Sequence, residues 1–147
     1  MTTRRCLCPD VVRGQELITL KSSATARAAA KLMNDRRVSS VLILDENEKL
    51  CGIFTVRDVA RRIVGDNLDP DTTSLSQVMT KEPNCVGARC LPHTALRLMQ
   101  DSGFRHLPVT EDGTCAGKVL GIVSRRNFFP EEETLLKVEE HLWESMR

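Results

Sequence analysis

Aromatic residues are scarce in this sequence, and their scarcity argues against one class of nucleic-acid binding. The 147 residues include no Tyr, one Trp and four Phe. Proteins that bind single-stranded nucleic acid stack the bases on aromatic side chains, so that function is disfavoured. The formal net charge of +1, from 21 basic and 20 acidic residues, gives no electrostatic reason for bulk attraction to nucleic acid or to a membrane surface. We therefore expect neither as a partner.

Long apolar runs are also absent. Runs such as Val41–Leu44 are far too short to span a bilayer, and the first 30 residues lack the continuous apolar segment of a secretory signal. We therefore expect a cytoplasmic location, where the six Cys remain reduced thiols. Arg4, Arg5 and Arg13 are compatible with mitochondrial import, but a short basic tail is the preferred interpretation.

The reactive side chains form no catalytic or metal-binding pattern. His93, His106 and His141 are far apart in the sequence, and no Ser lies in a nucleophile elbow. Cys6 and Cys8 have no second Cys pair or His cluster near them in the sequence, as a zinc site would need. We therefore predict no enzyme activity, no metal and no obligatory cofactor. One thiol, Cys115, falls in a predicted exposed turn and is a candidate for oxidation.

A seven-residue pattern occurs twice. Gly52–Asp58 and Gly121–Asn127 both read glycine, two apolar residues, a hydroxyl residue, any residue, Arg, and Asp or Asn. The apolar pair is typical of the end of a buried strand, and the hydroxyl residue lies where a helix begins. Such a helix N-terminus attracts phosphate, and a carboxylate there can accept hydrogen bonds from a ribose diol. The alternative is helix capping, in which the two polar side chains satisfy the local backbone.

The segments before the two patterns repeat as well. Ala29 and Ala95 differ by 66 in number, whereas Gly52 and Gly121 differ by 69, so a three-residue insertion in the turn at 111–118 separates them. Each repeat is predicted to run strand, helix, strand, strand, helix. The predicted divisions are a tail over 1–16, repeat 1 over 17–66, a linker over 67–77, repeat 2 over 78–129, with 78–80 leading into it, and a C-terminal helix over 130–147.

The last predicted helix is amphipathic. Pro130 suits its first turn, and one apolar stripe follows at helical spacing, formed by Leu135, Val138, Leu142 and Met146. The stripe predicts that the helix packs on its own module. The alternative is a helix that binds a second chain or another partner.

The duplicated pattern and its order of elements resemble a tandem pair of CBS domains, a Bateman module, over residues 17–129. The resemblance implies an α+β fold of two βαββα repeats related by pseudo-two-fold symmetry. It also implies a non-catalytic regulatory role. Clefts between the repeats of this family bind adenosine-type ligands such as AMP, ADP, ATP or S-adenosylmethionine, and two modules commonly form a homodimer.

The resemblance also implies roles for individual residues. In the first site Asp58 would hold the ribose hydroxyls, Thr55 would contact phosphate or ribose, and the base would be framed by Ile18, Thr19, Val38, Ser39 and Ser40. In the second site Ser124 and Asn127 would take the parallel roles, with Cys85, Val86, Phe104, Arg105 and His106 around the base. The candidates for pairing with phosphate are Arg57, Arg105, His106 and Arg126.

Two departures from the family pattern concern the second repeat. Asn127 replaces the usual Asp, which removes the charge from the ribose contact and predicts a weaker or empty second site. Phe104-Arg105 replaces the smaller Val38-Ser39 of the first repeat.

The main hypothesis for the whole chain is a regulatory nucleotide sensor that signals to an effector protein. The alternative is a structural module without ligand that dimerises or docks on a partner.

Overall fold

The computed structural model describes residues 6–12, 15–128 and 130–146. These residues form two compact units. One contains residues 16–83, and the other contains residues 84–147 together with the segment up to Gln15. Each unit has its own sheet, its own helices and its own apolar core, so the fold is α+β in both.

The first unit has a four-stranded sheet in the order β1-β2-β3-β4. β1 runs parallel to β2, and the other neighbours are antiparallel. Its elements, in chain order, are β1 (Thr19–Lys21), α1 (Ala26–Arg36), β2 (Ser40–Leu44), β3 (Leu50–Thr55), α2 (Val56–Asp58) continued by a π-helical segment (Val59–Val64), α3 (Leu75–Val78) and β4 (Thr80–Lys81).

Local signals explain the position of α1. The Thr25 hydroxyl accepts a hydrogen bond from the Ala28 N–H at 3.1 Å and so caps the first turn. Arg37 ends the helix in the left-handed conformation, with a φ of 54°. Small side chains at Ala26 and Ala29 are buried, as is Met33 one turn later, so α1 lies close against the sheet.

The second unit has a three-stranded sheet in the order β5-β6-β7, with β5 parallel to β6 and β6 antiparallel to β7. Pro92 begins its main helix, where a missing N–H costs nothing. Its elements are a π-helical turn (Leu7–Val11), β5 (Val86–Gly87), α4 (Pro92–Ser102), β6 (His106–Thr110), β7 (Val119–Ser124), a 3-10 turn (Arg125–Asn127) and α5 (Pro130–Ser145).

The two cores are built from equivalent positions. Each β-bulge lies at the same place in its repeat, after Ile43 in β2 and after Val109 in β6. Five pairs of buried residues keep the spacing of 66 or 69 residues found between the repeats in the sequence. The pairs are Ala29 with Ala95, Met33 with Met99, Val41 with Leu107, Ile43 with Val109, and Phe54 with Val123. The duplication predicted from spacing is therefore present in the packing.

The segment before the first repeat packs in the second unit rather than forming a tail. Leu7 and Val12 are buried in the core of that unit, and the Leu7 N–H donates to the Cys90 carbonyl at 3.1 Å. The side chain of Gln15 pairs with β7. Its Nε2 donates to the Ile122 carbonyl at 2.8 Å, and its Oε1 accepts from the Ile122 N–H at 2.9 Å. Arg4, Arg5 and Arg13 of the predicted basic tail lie outside the described residues.

A matching addition completes the first unit. Residues 78–80 were predicted to lead into the second repeat, but β4 pairs Thr80 with Ile53 and Lys81 with Gly52 on the outer edge of β3. The boundary between the units accordingly follows Pro83. Ile53 and Ile122 are equivalent positions, so the edge that β4 covers in one unit is covered by a single Gln15 side chain in the other.

The C-terminal helix differs from the sequence prediction in the packing of its apolar stripe. α5 forms as predicted and contacts α4, with the Glu139 carboxylate paired with Arg97 and lying 3.4 Å from His93 Nε2. Its apolar stripe is nevertheless 46% to 77% exposed, so the prediction that the stripe packs on its own module is wrong. The contact with α4 includes the polar pairs of Glu139, and it leaves the apolar side chains of the stripe exposed.

None of the helices in the described part of the chain is long and apolar enough to cross a membrane.

Candidate functional site

The junction between β3 and α2 holds the first predicted pair of site residues. The Asp58 Oδ2 accepts from the Thr55 N–H at 2.9 Å and from the Thr55 hydroxyl at 3.2 Å, and the Asp58 N–H donates back to that hydroxyl at 3.3 Å. This is a capping box. The capping interpretation of the pattern is thus present in the structure, and it fixes the carboxylate in one orientation.

The capping contacts leave Asp58 with acceptor capacity. An ionised carboxylate has about four acceptor positions, and the two donated bonds from Thr55 both fall on Oδ2. Its Oδ1 lies 3.6 Å from Arg62 Nε, and the side chain is 13% exposed. Asp58 can therefore accept further hydrogen bonds on Oδ1 from a diol without giving up its cap.

Arg62 lies beside Asp58 and was not among the candidate site residues predicted from the sequence. Arg62 Nη1 donates to the carbonyls of Val78 and Met79, both at 2.9 Å, while its Nε faces Asp58. The guanidinium group thus joins the start of the helix to the segment that leads into β4. An Arg four residues after an Asp is a detectable helical pair, but the carbonyl partners are visible only in three dimensions.

The residues predicted to frame the base lie beside this junction. Ser40 is buried and pairs with Thr55 across β2 and β3, and the Ser39 carbonyl accepts from the Val56 N–H at 3.0 Å. Ile18 and Thr19 lie at the start of β1, on the other side of β2, where the Ile18 carbonyl accepts from the Leu42 N–H. Four of the predicted residues, Ser39, Ser40, Thr55 and Asp58, are therefore grouped at the start of β2 and the end of β3, whereas Ile18 and Thr19 lie opposite Leu42, further along β2. Arg57 is in α2 with an exposed side chain.

A cavity of about 370 Å³ lies within the same unit, between α1 and α2. Its walls combine apolar side chains with two polar ones, and it is lined by Ala30, Met33, Asn34, Arg37, Val38, Val56 and Val59. The volume is within the range of small-molecule pockets. Val56 and Val59 flank Arg57 and Asp58 in the chain, so this cavity begins next to the junction.

The second junction forms the same capping pair at the start of a 3-10 turn, but its chemistry differs. The Asn127 Oδ1 accepts from the Ser124 N–H at 2.7 Å and from the Ser124 hydroxyl at 3.2 Å. The Arg125 N–H donates to the Arg105 carbonyl, as Val56 does to Ser39 in the first unit. A carbonyl oxygen has two lone pairs, and both are occupied here. Asn127 therefore cannot offer the extra acceptor that Asp58 retains.

Positive charge gathers around the second junction. His106 pairs with Ser124 across β6 and β7. Burial lowers the pKa of His106 below its ordinary value of 6.5, and the charges of Arg126 and Arg105 lower it further. The structure thus brings together three residues that were predicted as phosphate partners. Among the described residues no group of three or more His, Cys, Asp and Glu is arranged to hold a metal ion.

Comparison with known proteins agrees with this fold. A family model described as CBS domain matches residues 10–65 and 75–134. The CBS domain-containing protein CBSCBSPB1 of Arabidopsis thaliana is 41% identical over 102 residues, which are 69% of this chain and 19% of that protein. The chain therefore spans about a fifth of the length of the first curated relatives that it matches.

Two solved structures show the same fold. The CBS-domain containing protein ATU1752 from Agrobacterium tumefaciens is 23% identical with a TM-score of 0.75, covering 86% of this chain and 93% of that one. The CBS domain protein PAE2072 from Pyrobaculum aerophilum, complexed with AMP, is 21% identical with a TM-score of 0.76, covering 86% and 95%. With two matched repeats spanning most of the sequence and two units built on one plan, the chain belongs to the CBS domain family and is a tandem pair of these regulatory domains.

Proposed function

We propose that this CBS pair binds an adenosine-type nucleotide at the β3–α2 junction of the first repeat and passes the occupancy to a partner. The observation that carries the proposal is the Asp58 carboxylate, which Thr55 holds in place while Oδ1 retains acceptor capacity. A ribose diol supplies two donors that match such an oxygen. The AMP bound to the Pyrobaculum protein supports the choice of ligand class.

The surroundings of Asp58 suit the rest of a nucleotide. The apolar walls of the cavity, including Val38 and Val56, provide a surface for a base, and Arg37 and Asn34 provide donors. Exposed Arg57 follows Thr55 by two residues and is the phosphate partner that we assign to this site. The ligand acts by population shift, since a nucleotide that binds one arrangement of the protein more tightly raises the population of that arrangement. The role is regulatory rather than catalytic.

The second junction is proposed to bind nucleotide more weakly. Both lone pairs of Asn127 Oδ1 are used by Ser124, so the ribose contact lacks an acceptor as well as a charge. The positive charges of Arg105 and Arg126 beside His106 still favour an anion. We therefore assign the first site as the principal one, with the second as a weaker phosphate-directed site.

The test is a thermal-shift titration with AMP, ADP, ATP and S-adenosylmethionine. A ligand at 100 times its dissociation constant adds about 2.7 kcal/mol to the free energy of unfolding. The informative variant is Asp58→Asn, because Asn127 shows that Asn preserves the cap at this position of the fold. Loss of a charge-assisted contact, worth about 1.5–3 kcal/mol, should weaken binding by roughly 10- to 100-fold.

The matched control is Asp66→Asn, which removes the same charge from an exposed turn eight residues later. It should leave the affinity unchanged. Absence of a shift with all four ligands at millimolar concentration would reject nucleotide sensing for these ligands. An equal loss of affinity in both variants would instead indicate a general charge effect and would remove Asp58 from the site.

The second candidate function is homodimerisation through α5. Leu135, Val138 and Leu142 are 46%, 51% and 55% exposed on one face of this helix, and Trp143 beside them is 64% exposed. A stripe at this spacing is typical of helix pairing. Sedimentation of the full chain and of a chain ending at residue 129 tests it. A dimer that becomes a folded monomer on truncation supports the proposal, and a monomeric full chain contradicts it.

A further inference from the structure

Two thiols of the second unit are in contact although 30 residues separate them in the sequence. The Sγ atoms of Cys85 and Cys115 lie 3.3 Å apart. Cys85 immediately precedes β5, and Cys115 lies in the turn between β6 and β7. Both side chains are partly exposed, so a small oxidant in solution can reach them.

The backbone holds the turn in this position. Gly113, with a φ of 80°, packs against Gly87 so closely that a Cβ added to Gly113 would lie 3.3 Å from the Gly87 nitrogen. The Asp112 Oδ1 accepts from the Thr114 N–H at 2.9 Å and from its hydroxyl at 2.8 Å. The contact between the sulfur atoms therefore follows from an ordered turn that is packed on β5.

The first repeat has no counterpart of this pair. Its turn between β2 and β3 is shorter, spans residues 45–49 and contains no Cys. The position equivalent to Cys85 is Thr19. The insertion that distinguishes the second repeat is thus the segment that carries Cys115 to Cys85.

We propose that Cys85 and Cys115 form a reversible intramolecular disulfide, which joins the β6–β7 turn to the start of β5 and makes the second unit sensitive to low-molecular-weight disulfides such as oxidised glutathione. The separation of the sulfur atoms needs only a small closing movement to reach bonding distance. Disulfides of proteins in reducing compartments are typically transient and redox-sensing.

The chemistry proceeds by thiol–disulfide exchange. Burial, followed by the hydrogen bond with Cys115, raises the pKa of Cys85, which disfavours its thiolate, and we assign the first attack to Cys115 in the β6–β7 turn. The Cys115 thiolate attacks oxidised glutathione, forms a mixed disulfide and releases one glutathione thiolate. Cys85 then attacks the Cys115 sulfur, its proton passes to the glutathione thiolate that leaves, and the second glutathione is released. Two protein thiols are oxidised, and one glutathione disulfide is reduced to two thiols.

The test uses the full reduced chain incubated with oxidised glutathione, alkylated under denaturing conditions and mapped by mass spectrometry. We expect the chain to lose two hydrogen atoms and to yield one cross-linked peptide pair containing Cys85 and Cys115. Dithiothreitol should restore both alkylation sites. Closing a 30-residue separation should also raise the melting temperature of the oxidised chain by roughly 5–15 °C.

Variants identify the pair. Cys85→Ser and Cys115→Ser should each abolish the cross-link, whereas Cys51→Ser, which changes a partly exposed thiol of the other unit, should retain it. The wild-type peptide map decides the question even if a variant fails to fold. Cross-linking of a different pair, thiols that all remain open to alkylation, or a mixed glutathione disulfide that persists on Cys115 would each overturn the proposal.

Discussion

Replacing Gln15 should destabilise the protein through a contact 107 residues away. The Gln15 amide gives one hydrogen bond to the Ile122 carbonyl and takes one from the Ile122 N–H, at 2.8 and 2.9 Å. A typical hydrogen bond contributes about 0.5–1.5 kcal/mol net, and a donor left without a partner costs more. For Gln15→Met, which keeps the length of the side chain but makes neither bond, we expect a loss of about 2 kcal/mol in the free energy of unfolding.

The assay is urea denaturation followed by circular dichroism, with the midpoint and the slope fitted separately. A loss of about 2 kcal/mol corresponds to a fall in melting temperature of about 4–8 °C for a chain of this size. The control is Gln100→Met on the exposed face of α4 in the same unit, where we expect a change within about 0.5 kcal/mol.

A Gln15→Met variant with wild-type stability would refute the reasoning, because it would show that the amide contributes nothing to the edge of β7. A change in slope without a change in midpoint would also refute it, since the effect would then lie in the unfolded state. Gln15→Ala, which removes packing as well, should be at least as destabilising as Gln15→Met.

Two further predictions concern the second unit. A Cβ on Gly121 would lie 2.7 Å from Gln15 Oε1, so Gly121→Ala should lower the free energy of unfolding by roughly 1–3 kcal/mol through overpacking. The control Gly87→Ala, whose added Cβ would have its nearest atom at 3.6 Å, should change the urea midpoint little. Equal urea midpoints for the two variants would contradict this account of the packing. The lowered pKa of His106 means that the folded protein favours the neutral ring, so the stability from this group is lost as pH falls below about 6.5 towards the folded pKa. Urea titrations at several pH values should show a smaller loss on acidification in His106→Gln, and an unchanged loss would exclude the ring as its source.

Much of the fold could be predicted because its signals are local and occur twice. β3 ends at Thr55 and β7 ends at Ser124, which are the hydroxyl residues at which the repeated pattern predicts the end of a strand. The structure that follows β7 could not be predicted from the duplication, which places a helix after the last strand of each repeat. The 3-10 turn there ends at Asn127, and Pro130, which cannot continue a preceding helix, starts α5 instead.

The candidate site was predictable in part for the same reason. Thr55 with Asp58 and Ser124 with Asn127 are neighbours three residues apart, and their pairing follows from the geometry of a helix N-terminus. Their ligand roles remain predictions. Arg62 was missed because its partners are backbone carbonyls 16 and 17 residues along the chain.

The sequence by itself determined the repeated order of strands and helices, the buried positions within each repeat and the polar pair at each junction, because periodicity and capping act over a few residues. Only the tertiary structure decided which segment completes each sheet edge and which thiols meet. Gln15 reaches Ile122, and Cys85 meets Cys115, through packing between segments 107 and 30 residues apart. The geometry of such contacts is set by how whole elements pack together, and no local pattern in the sequence encodes it.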